Sequence, residues 1–400
     1  MKKIKVVWLC HLTNEYLDNH FNKEMNMCAY WMTQFIDIVK DENIELHIVS
    51  PNYYNNRNTD FSIDGVNYHL FKYYSGIGGT KSAIVECTIF SQILKIKIQK
   101  IISLIKPDII HLFGAENITY SQGFLPFIKE NNTILTIQGY IQQAKCSGNF
   151  FRRLTISKRV ENEDAILKEV KNITFGDIEE KCREFYMKKY GKGVCHILNF
   201  PIKLPNIDAS SIKKEYDIVF WGRVTVDKGV EDLINAVYLL KKKRPNISCL
   251  ILGGGSEEYR SKLDALVYEK GLESNIHFGG FQKTNEELFS NASKARVYVL
   301  PTHYDALPGS IRESMYMKLP VVSYPVGDIP QLNKDNECVL LAKHLDIEDL
   351  ASKISQLLDD EAMRNRLIAN SYSLVSRMND TSIAKQFMDI YKGLLIGDRQ

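Results

Sequence analysis

The sequence has no long apolar run. Its apolar runs, such as Cys249 to Leu252, fall far short of the ~18 residues that a membrane-spanning helix needs, so no such helix is expected. A cysteine framework is also missing. The eight cysteines (Cys10, Cys28, Cys87, Cys146, Cys182, Cys195, Cys249 and Cys338) include no C-x-x-C pair. That spacing argues against a zinc site and a disulfide scaffold and predicts reduced, mostly buried thiols. Charge of one sign is scarce: the net charge is +3, and residues 1–205 carry 26 basic and 21 acidic groups. So mild an excess argues against bulk nucleic-acid binding, while leaving room for a weakly basic face in the first half. No internal repeat or low-complexity tract suggests a solenoid or a tail. The opening MKKIKVVWLC places lysines before an apolar stretch, but the stretch ends at His11 and no small-residue cleavage site follows. It reads as a first strand, in a protein expected in the cytoplasm.

What is present is an ordinary globular balance, 44% hydrophobic and 25% charged over 400 residues, enough for two or three domains of roughly 150 residues each. Short β-rich runs alternate with amphipathic stretches, the signature of parallel sheets covered by helices. Strands are expected at Ile4–Leu9, Glu45–Val49, Tyr68–Tyr73, Asp108–Leu112 and Thr133–Ile137, with helices at Met25–Lys40 and Ser91–Lys106. The Pro-punctuated NFPIKLP from Asn199 marks a linker. Beyond it the alternation resumes. Strands are expected at Asp217–Trp221, Ser248–Leu252, Ile276–Phe278, Arg296–Leu300 and Val321–Ser323, and helices at Val230–Lys242, Glu257–Lys270, Gly309–Met317, Ile347–Leu358 and Thr381–Leu395. Two α/β domains facing across a cleft are the expected architecture.

Two runs carry chemistry. In FWGRVTVDKGVEDLINA a strand ends at Trp221, and Arg223 and Lys228 flank the turn that follows. Two cations at the carboxyl end of a strand suit a diphosphate; a solvated loop with incidental cations is the competing account. In LPTHYDALPGSIRESMYMKLPVV, Asp305 falls in a loop and Glu313 on the next helix. Leu307 and Pro308 lead into that helix, and Gly309 and Ser310 form its first turn, whose free N–H groups and positive dipole end make an anion site. Pro308, with no N–H to donate, fits the helix start. A carboxylate one to two turns in can accept from ribose hydroxyls, and Asp305 can reach a transferred sugar.

These runs resemble family 4 glycosyltransferases. The family's G-R-x-x-x-x-K-G run is matched by Gly222, Arg223, Lys228 and Gly229, and its later E-x7-E by Asp305 and Glu313, followed by Lys318, Leu319, Pro320 and Val321. The resemblance covers about 215 to 375. It implies a GT-B fold of two Rossmann-like α/β/α domains: an acceptor-binding domain over 1–200, a nucleotide-sugar donor domain over 206–380, and a C-terminal crossover helix over 381–400 returning toward the first domain. It also implies retention of anomeric configuration with no metal or other cofactor. Arg223 and Lys228 would neutralise the donor diphosphate, Glu313 bind the ribose, and Asp305 touch the donor sugar. The expected partners are a nucleotide-sugar donor and a glycan or lipid-linked acceptor, most often in bacterial surface polysaccharide assembly. Asp305 replaces the usual glutamate, Ala306 and Cys338 stand where glycine is frequent, and Asp328 and Gln331 lie in the stretch that usually reads G-G-I-P-E. CHLTNEYLDN replaces the glycine-rich loop after the first strand.

In the first half, His111 and Glu116 in KPDIIHLFGAEN and Gln138 in LTIQGY are candidate cleft residues toward the acceptor, although a lone histidine after a buried strand is often structural. The triple glycine at Gly253 to Gly255 fails the nicotinamide fingerprint, which needs a glycine where Glu258 stands. Close approach of Gly254 to the nucleotide is the reading kept. Gly280 and Phe281 are placed beside the base, unless the phenylalanine is packed. Basic clusters at Lys95, Lys97 and Lys100 and at Arg152, Arg153, Lys158 and Arg159 are solvated faces or a peripheral contact with anionic membrane. Two other functions fit the same pattern: a nucleotide-sugar epimerase, which needs no acceptor, and a non-catalytic nucleotide-sugar-binding partner.

Overall fold

The computed structural model describes residues 3–397 except 24, 26–29, 41, 56, 74–88, 130–131, 138, 144–149, 177, 202–211 and 379–381. The chain forms two compact units. The first comprises residues 1–177, 182–201 and 381–400, and the second 178–181 and 202–380.

The strands of the first unit are β1 (Ile4–Leu9), β2 (Ile44–Asn52), β3 (Thr59–Ile63), β4 (Val66–Lys72), β5 (Ile109–Phe113), β6 (Asn132–Thr136), β7 (Asn172–Phe175) and β8 (Val194–Ile197). They form one sheet in the order β3-β4-β2-β1-β5-β6-β7-β8. All neighbours are parallel except β3 and β4, which are antiparallel. The inner strand β5, IIHLF, is buried at every position, as expected of a parallel strand covered on both faces. Its helices are α1 (Glu15–Phe21), α2 (Tyr30–Val39), α3 (Ile89–Ile105), α4 (Ile118–Ser121), α5 (Phe150–Glu169) and α6 (Glu180–Lys189). Asn14 caps α1 by accepting from Leu17 N–H, and Asn22 ends it in the left-handed conformation.

In the second unit β9 (Tyr216–Trp221), β10 (Cys249–Leu252), β11 (Ile276–Gly280), β12 (Ala295–Leu300), β13 (Val321–Ser323) and β14 (Val339–Leu341) form an all-parallel sheet in the order β11-β10-β9-β12-β13-β14. The helices are α7 (Val230–Lys241), α8 (Glu257–Glu269), α9 (Asn285–Ala292), α10 (Gly309–Tyr316), α11 (Ile347–Asp359) and α12 (Glu361–Met378). Ser256, Thr284 and Asp346 cap α8, α9 and α11 through their side-chain oxygens. The last helix, α13 (Ser382–Gly397), belongs to the first unit. Its Phe387 stacks on Trp8, and Tyr391 accepts from the Trp8 indole at 2.8 Å.

The expected strands and helices are present, most within a residue or two of their expected bounds. Of the helix expected at 25–40, Tyr30–Val39 is helical, and 26–29 lie outside the described residues. Not anticipated were β3, β7, β8, β14, α1, α4, α5, α6, α9 and α12. Of the cysteines, Cys28, Cys87 and Cys146 lie outside the described residues. The other five are thiols outside any disulfide: Cys10, Cys249 and Cys338 are buried, Cys182 and Cys195 partly so. No helix among the described residues is long and apolar enough to cross a membrane.

Candidate active site in the second unit

Strand order positions the site. The chain adds strands outward from β9 in one direction and then, from β12, in the other, so β9 and β12 are neighbours whose following loops part to opposite sides. Ligands of open parallel sheets bind in the crevice outside such a pair's carboxyl ends. Both chemistry-bearing runs fall there: Gly222–Gly229 leaves β9, and Pro301–Pro308 leaves β12.

The two loops are tied together by backbone. His303 N–H donates to the Asp227 carbonyl at 2.7 Å, and the Thr302 hydroxyl donates to the same oxygen at 3.1 Å. Gly229 has φ +71°, and a Cβ there would lie 1.9 Å from the Pro301 carbonyl oxygen. Only glycine fits that approach. With the loops so held, the Lys228 ammonium forms an ion pair with the Asp305 carboxylate, the two side chains being 15% and 18% exposed. Arg223 faces solvent, 74% exposed and 3.9 Å from Asp227.

Helix α10 begins after Pro308, whose backbone is extended and whose side chain caps nothing. Its first N–H groups therefore have neither an intrahelical acceptor nor a side-chain cap, and they sit at the positive end of the helix dipole. Gly309 and Ser310 are partly exposed, Pro308 is buried, and Leu307 packs on the core. The carboxylate of Glu313 accepts from the Trp221 indole N–H at 3.0 Å through Oε2. Burial pushes its pKa up; the indole hydrogen bond and the Arg312 guanidinium work against that shift.

The triple glycine has a narrower role than expected. A Cβ on Gly253 would lie 1.8 Å from the Gly222 carbonyl, and one on Gly255 2.3 Å from that of Val224. These two glycines let the loop after β10 press on the loop after β9, with Val224 N–H donating to Gly254 at 2.8 Å. Gly254 alone remains for a ligand, beside Phe281. Phe281 follows Gly280 and is 51% exposed, so it is not a packed aromatic.

The first-half candidates fare differently. His111 is wholly buried: Nδ1 meets the Tyr391 hydroxyl at 2.7 Å and Nε2 the Thr136 hydroxyl at 2.6 Å. Burial holds its pKa well below the ordinary value. The placement as a cleft residue is corrected: His111 joins β5 and β6 to α13, because a ring buried between these elements must satisfy both nitrogens. Glu116, after β5, is partly exposed overall, with Oε2 buried and unpaired and its pKa raised by burial. Gln138 lies outside the described residues.

Two residues were missed. Trp221 was read only as the end of a strand. Glu163 on α5 accepts from the N–H groups of Ile141 and Gln142 at 3.0 and 3.4 Å, and burial raises its pKa to about 7. A tryptophan directly before the glycine-arginine pair is a signal for the first; α5 has no apolar period that would have singled out the second.

Residues 205–374 match the family described as glycosyl transferases group 1. This part of the chain, which lies within the second unit, is similar to a group 1 glycosyltransferase domain. The chain is 28% identical over 176 residues to alpha-D-kanosaminyltransferase of Streptomyces kanamyceticus, covering 44% of this chain and 45% of that protein. It is 25% identical over 213 residues to the N,N'-diacetylbacillosaminyl-diphospho-undecaprenol alpha-1,3-N-acetylgalactosaminyltransferase of Campylobacter jejuni, covering 50% and 54%. The matches thus span about half the length of these curated relatives. Among solved structures, sucrose-phosphate synthase from Thermosynechococcus elongatus superposes with a TM-score of 0.77 at 19% identity, over 99% of this chain and 100% of that one. Anabaena HepE in complex with UDP superposes with 0.67 at 13%, over 98% and 100%. The fold of the chain is GT-B.

Proposed function

We propose that the protein is a retaining, metal-independent glycosyltransferase. It moves a hexosyl-type sugar from a nucleotide-diphospho-sugar to a glycan or lipid-linked acceptor, in bacterial surface polysaccharide assembly. The observation that carries this reading is the convergence of Lys228, Asp305, Glu313 and the uncapped start of α10 at the crevice between β9 and β12. The Campylobacter relative is named for a lipid-linked acceptor, another relative for lipopolysaccharide core biosynthesis, and HepE has been solved with UDP-glucose.

In this mechanism the α10 N-terminus and Lys228 take the diphosphate, with Arg223 folding in from solvent. Lys228 exchanges Asp305 for phosphate oxygens, which frees the Asp305 carboxylate for sugar hydroxyls. Negative charge that grows on the leaving diphosphate as the sugar C1–O bond breaks is stabilised by groups already in place. The acceptor oxygen forms its bond to C1 on the face that the diphosphate leaves, and its proton passes to the departing phosphate. Gly254, Gly280 and Phe281 flank the base, and Glu313 accepts from the ribose.

The acceptor end of the reading places the protein on the inner face of the cell membrane. Helix α3 exposes Ile93, Ile96 and Leu104 along with Lys100, a mixture suited to an anionic interface. Co-sedimentation with anionic liposomes is expected to fall on reversing Lys95, Lys97 and Lys100; no change removes this element alone.

A thermal-shift screen against UDP, GDP and ADP and their hexose conjugates tests the donor site, since a ligand of the native state raises the midpoint. A shift with one base that disappears in Lys228→Ala is expected. No shift with any nucleotide overturns the reading.

A further inference from the structure

The Glu313 carboxylate is the ribose acceptor in the proposed function, and the following rests on that reading. We infer that Trp221 is a positioning residue for the donor nucleotide: its indole N–H fixes Glu313 so that the second carboxylate oxygen is aimed at the ribose.

The geometry has three parts. First, the indole occupies Oε2 at 3.0 Å, and among the described residues Oε1 has no hydrogen-bond partner. Second, Oε1 points along α10 toward its start, 3.9 Å from where a Cβ of Gly309 would stand. The free oxygen therefore faces the turn expected to take the diphosphate, and a ribose is the part of a nucleotide adjoining that group. Third, the indole itself is held. Its ring packs on Tyr298 with centroids 3.9 Å apart, Tyr298 hydroxyl donates to the Trp221 carbonyl at 3.1 Å, and Trp221 is 2% exposed. A glutamate side chain has several rotatable bonds, and a charge-assisted hydrogen bond to a rigid donor removes that freedom before the ligand arrives. Burial pushes the pKa of this carboxylate up, and the same bond, together with Arg312, works against that shift. Of the titratable side chains around it, Arg312 on α10 lowers the pKa of Glu313, while Glu313 and Asp305 both push up that of Tyr298 on β12.

The test is Trp221→Phe, which keeps an aromatic ring on Tyr298 and removes only the N–H. Binding of UDP, GDP and ADP, each beside its 2′-deoxy and 3′-deoxy form, is measured by calorimetry from pH 5 to 8. Wild type is expected to prefer one ribonucleotide over its deoxy forms. The variant is expected to bind that ribonucleotide about ten-fold or more weakly, as loss of a hydrogen bond to a charged group implies, and to lose the preference. The acid limb of its binding profile should also move to higher pH, because Glu313 protonates more readily without the indole. Unchanged preference and unchanged limb in the variant overturn the role of Trp221 and leave the donor site standing. No binding of any nucleotide to wild type overturns the donor site and the inference with it. Should the variant not fold, the indole N–H resonances of the three tryptophans in wild type decide the matter. One of them must shift in Glu313→Gln and again on adding the ribonucleotide, but less with the deoxy forms; no such resonance overturns the inference.

Discussion

The two units solve the same problem at their central strands in opposite ways. In the second unit the groups beyond β9 and β12 are left for something outside the chain. Arg223 faces solvent, the start of α10 has no side-chain cap, and Lys228 is paired with Asp305. In the first unit His111 on β5 and Thr136 on β6 are consumed internally. His111 bridges Tyr391 and Thr136, and Thr136 continues to Thr174 at 2.7 Å. A histidine or a carboxylate near a strand end is thus no sign of a binding site by itself. What matters is whether its partners lie within the fold.

That contrast predicts separable effects of mutation. The largest is expected for Lys228→Ala: turnover falls ~10²- to 10³-fold, the scale of losing one preorganised charge partner in a transition state. The thermal midpoint should fall modestly, since the mostly buried Asp305 loses its partner but keeps some contact with solvent. Near-normal turnover would erase the difference drawn between the units. Next is Gly229→Ala, which forces a Cβ into the Pro301 carbonyl. A loss of roughly 2–4 kcal/mol is expected in the second unit, together with weaker nucleotide binding, because the loops of Lys228 and Asp305 are spaced by this contact. Denaturation curves within about 0.5 kcal/mol of wild type would mean that the two loops relax apart freely.

The smallest effect sharpens the first-unit half of the comparison. Burial holds His111 below its ordinary pKa, so the unfolded chain takes up the proton first. Its contribution is complete above pH ~6.5 and falls by up to ~1.4 kcal/mol per pH unit as pH drops below that toward the folded value. His11, His47 and His196 are lowered by burial with the same sign, so His111→Gln should make the slope shallower without abolishing it. Fluorescence in a Trp221→Phe background reads the first unit alone, through Trp8 and Trp31. A slope identical to wild type would show that His111 exchanges its proton without cost, and nucleotide affinity should be the same in both.

Much of the second unit was legible in the sequence. Its strands are short apolar runs followed by glycine-rich turns, and the lysine, acid and helix-start signals are local in sequence, so spacing alone arranged them in order. The first unit was harder to read. Helix α5 mixes arginines, acids and isolated apolar residues with no clear period, and the β3–β4 hairpin was passed over although Asp64–Gly65, both at positive φ, is a strong turn signal. The role of His111 depends on Tyr391, 280 residues away along the chain, and no local pattern encodes that distance.

The sequence by itself determined the α/β class, the position of the strands and helices around the candidate site, and the residue types proposed to meet a diphosphate and a ribose. These follow from hydrophobic period and from the backbone chemistry of glycine, proline and helix ends, which act over a few residues. The tertiary structure decided which of those groups are free. It paired Lys228 with Asp305, gave Glu313 to Trp221, and withdrew His111 into the core. Hydrogen bonds between residues distant in sequence are settled only when burial forces each polar group to find a partner.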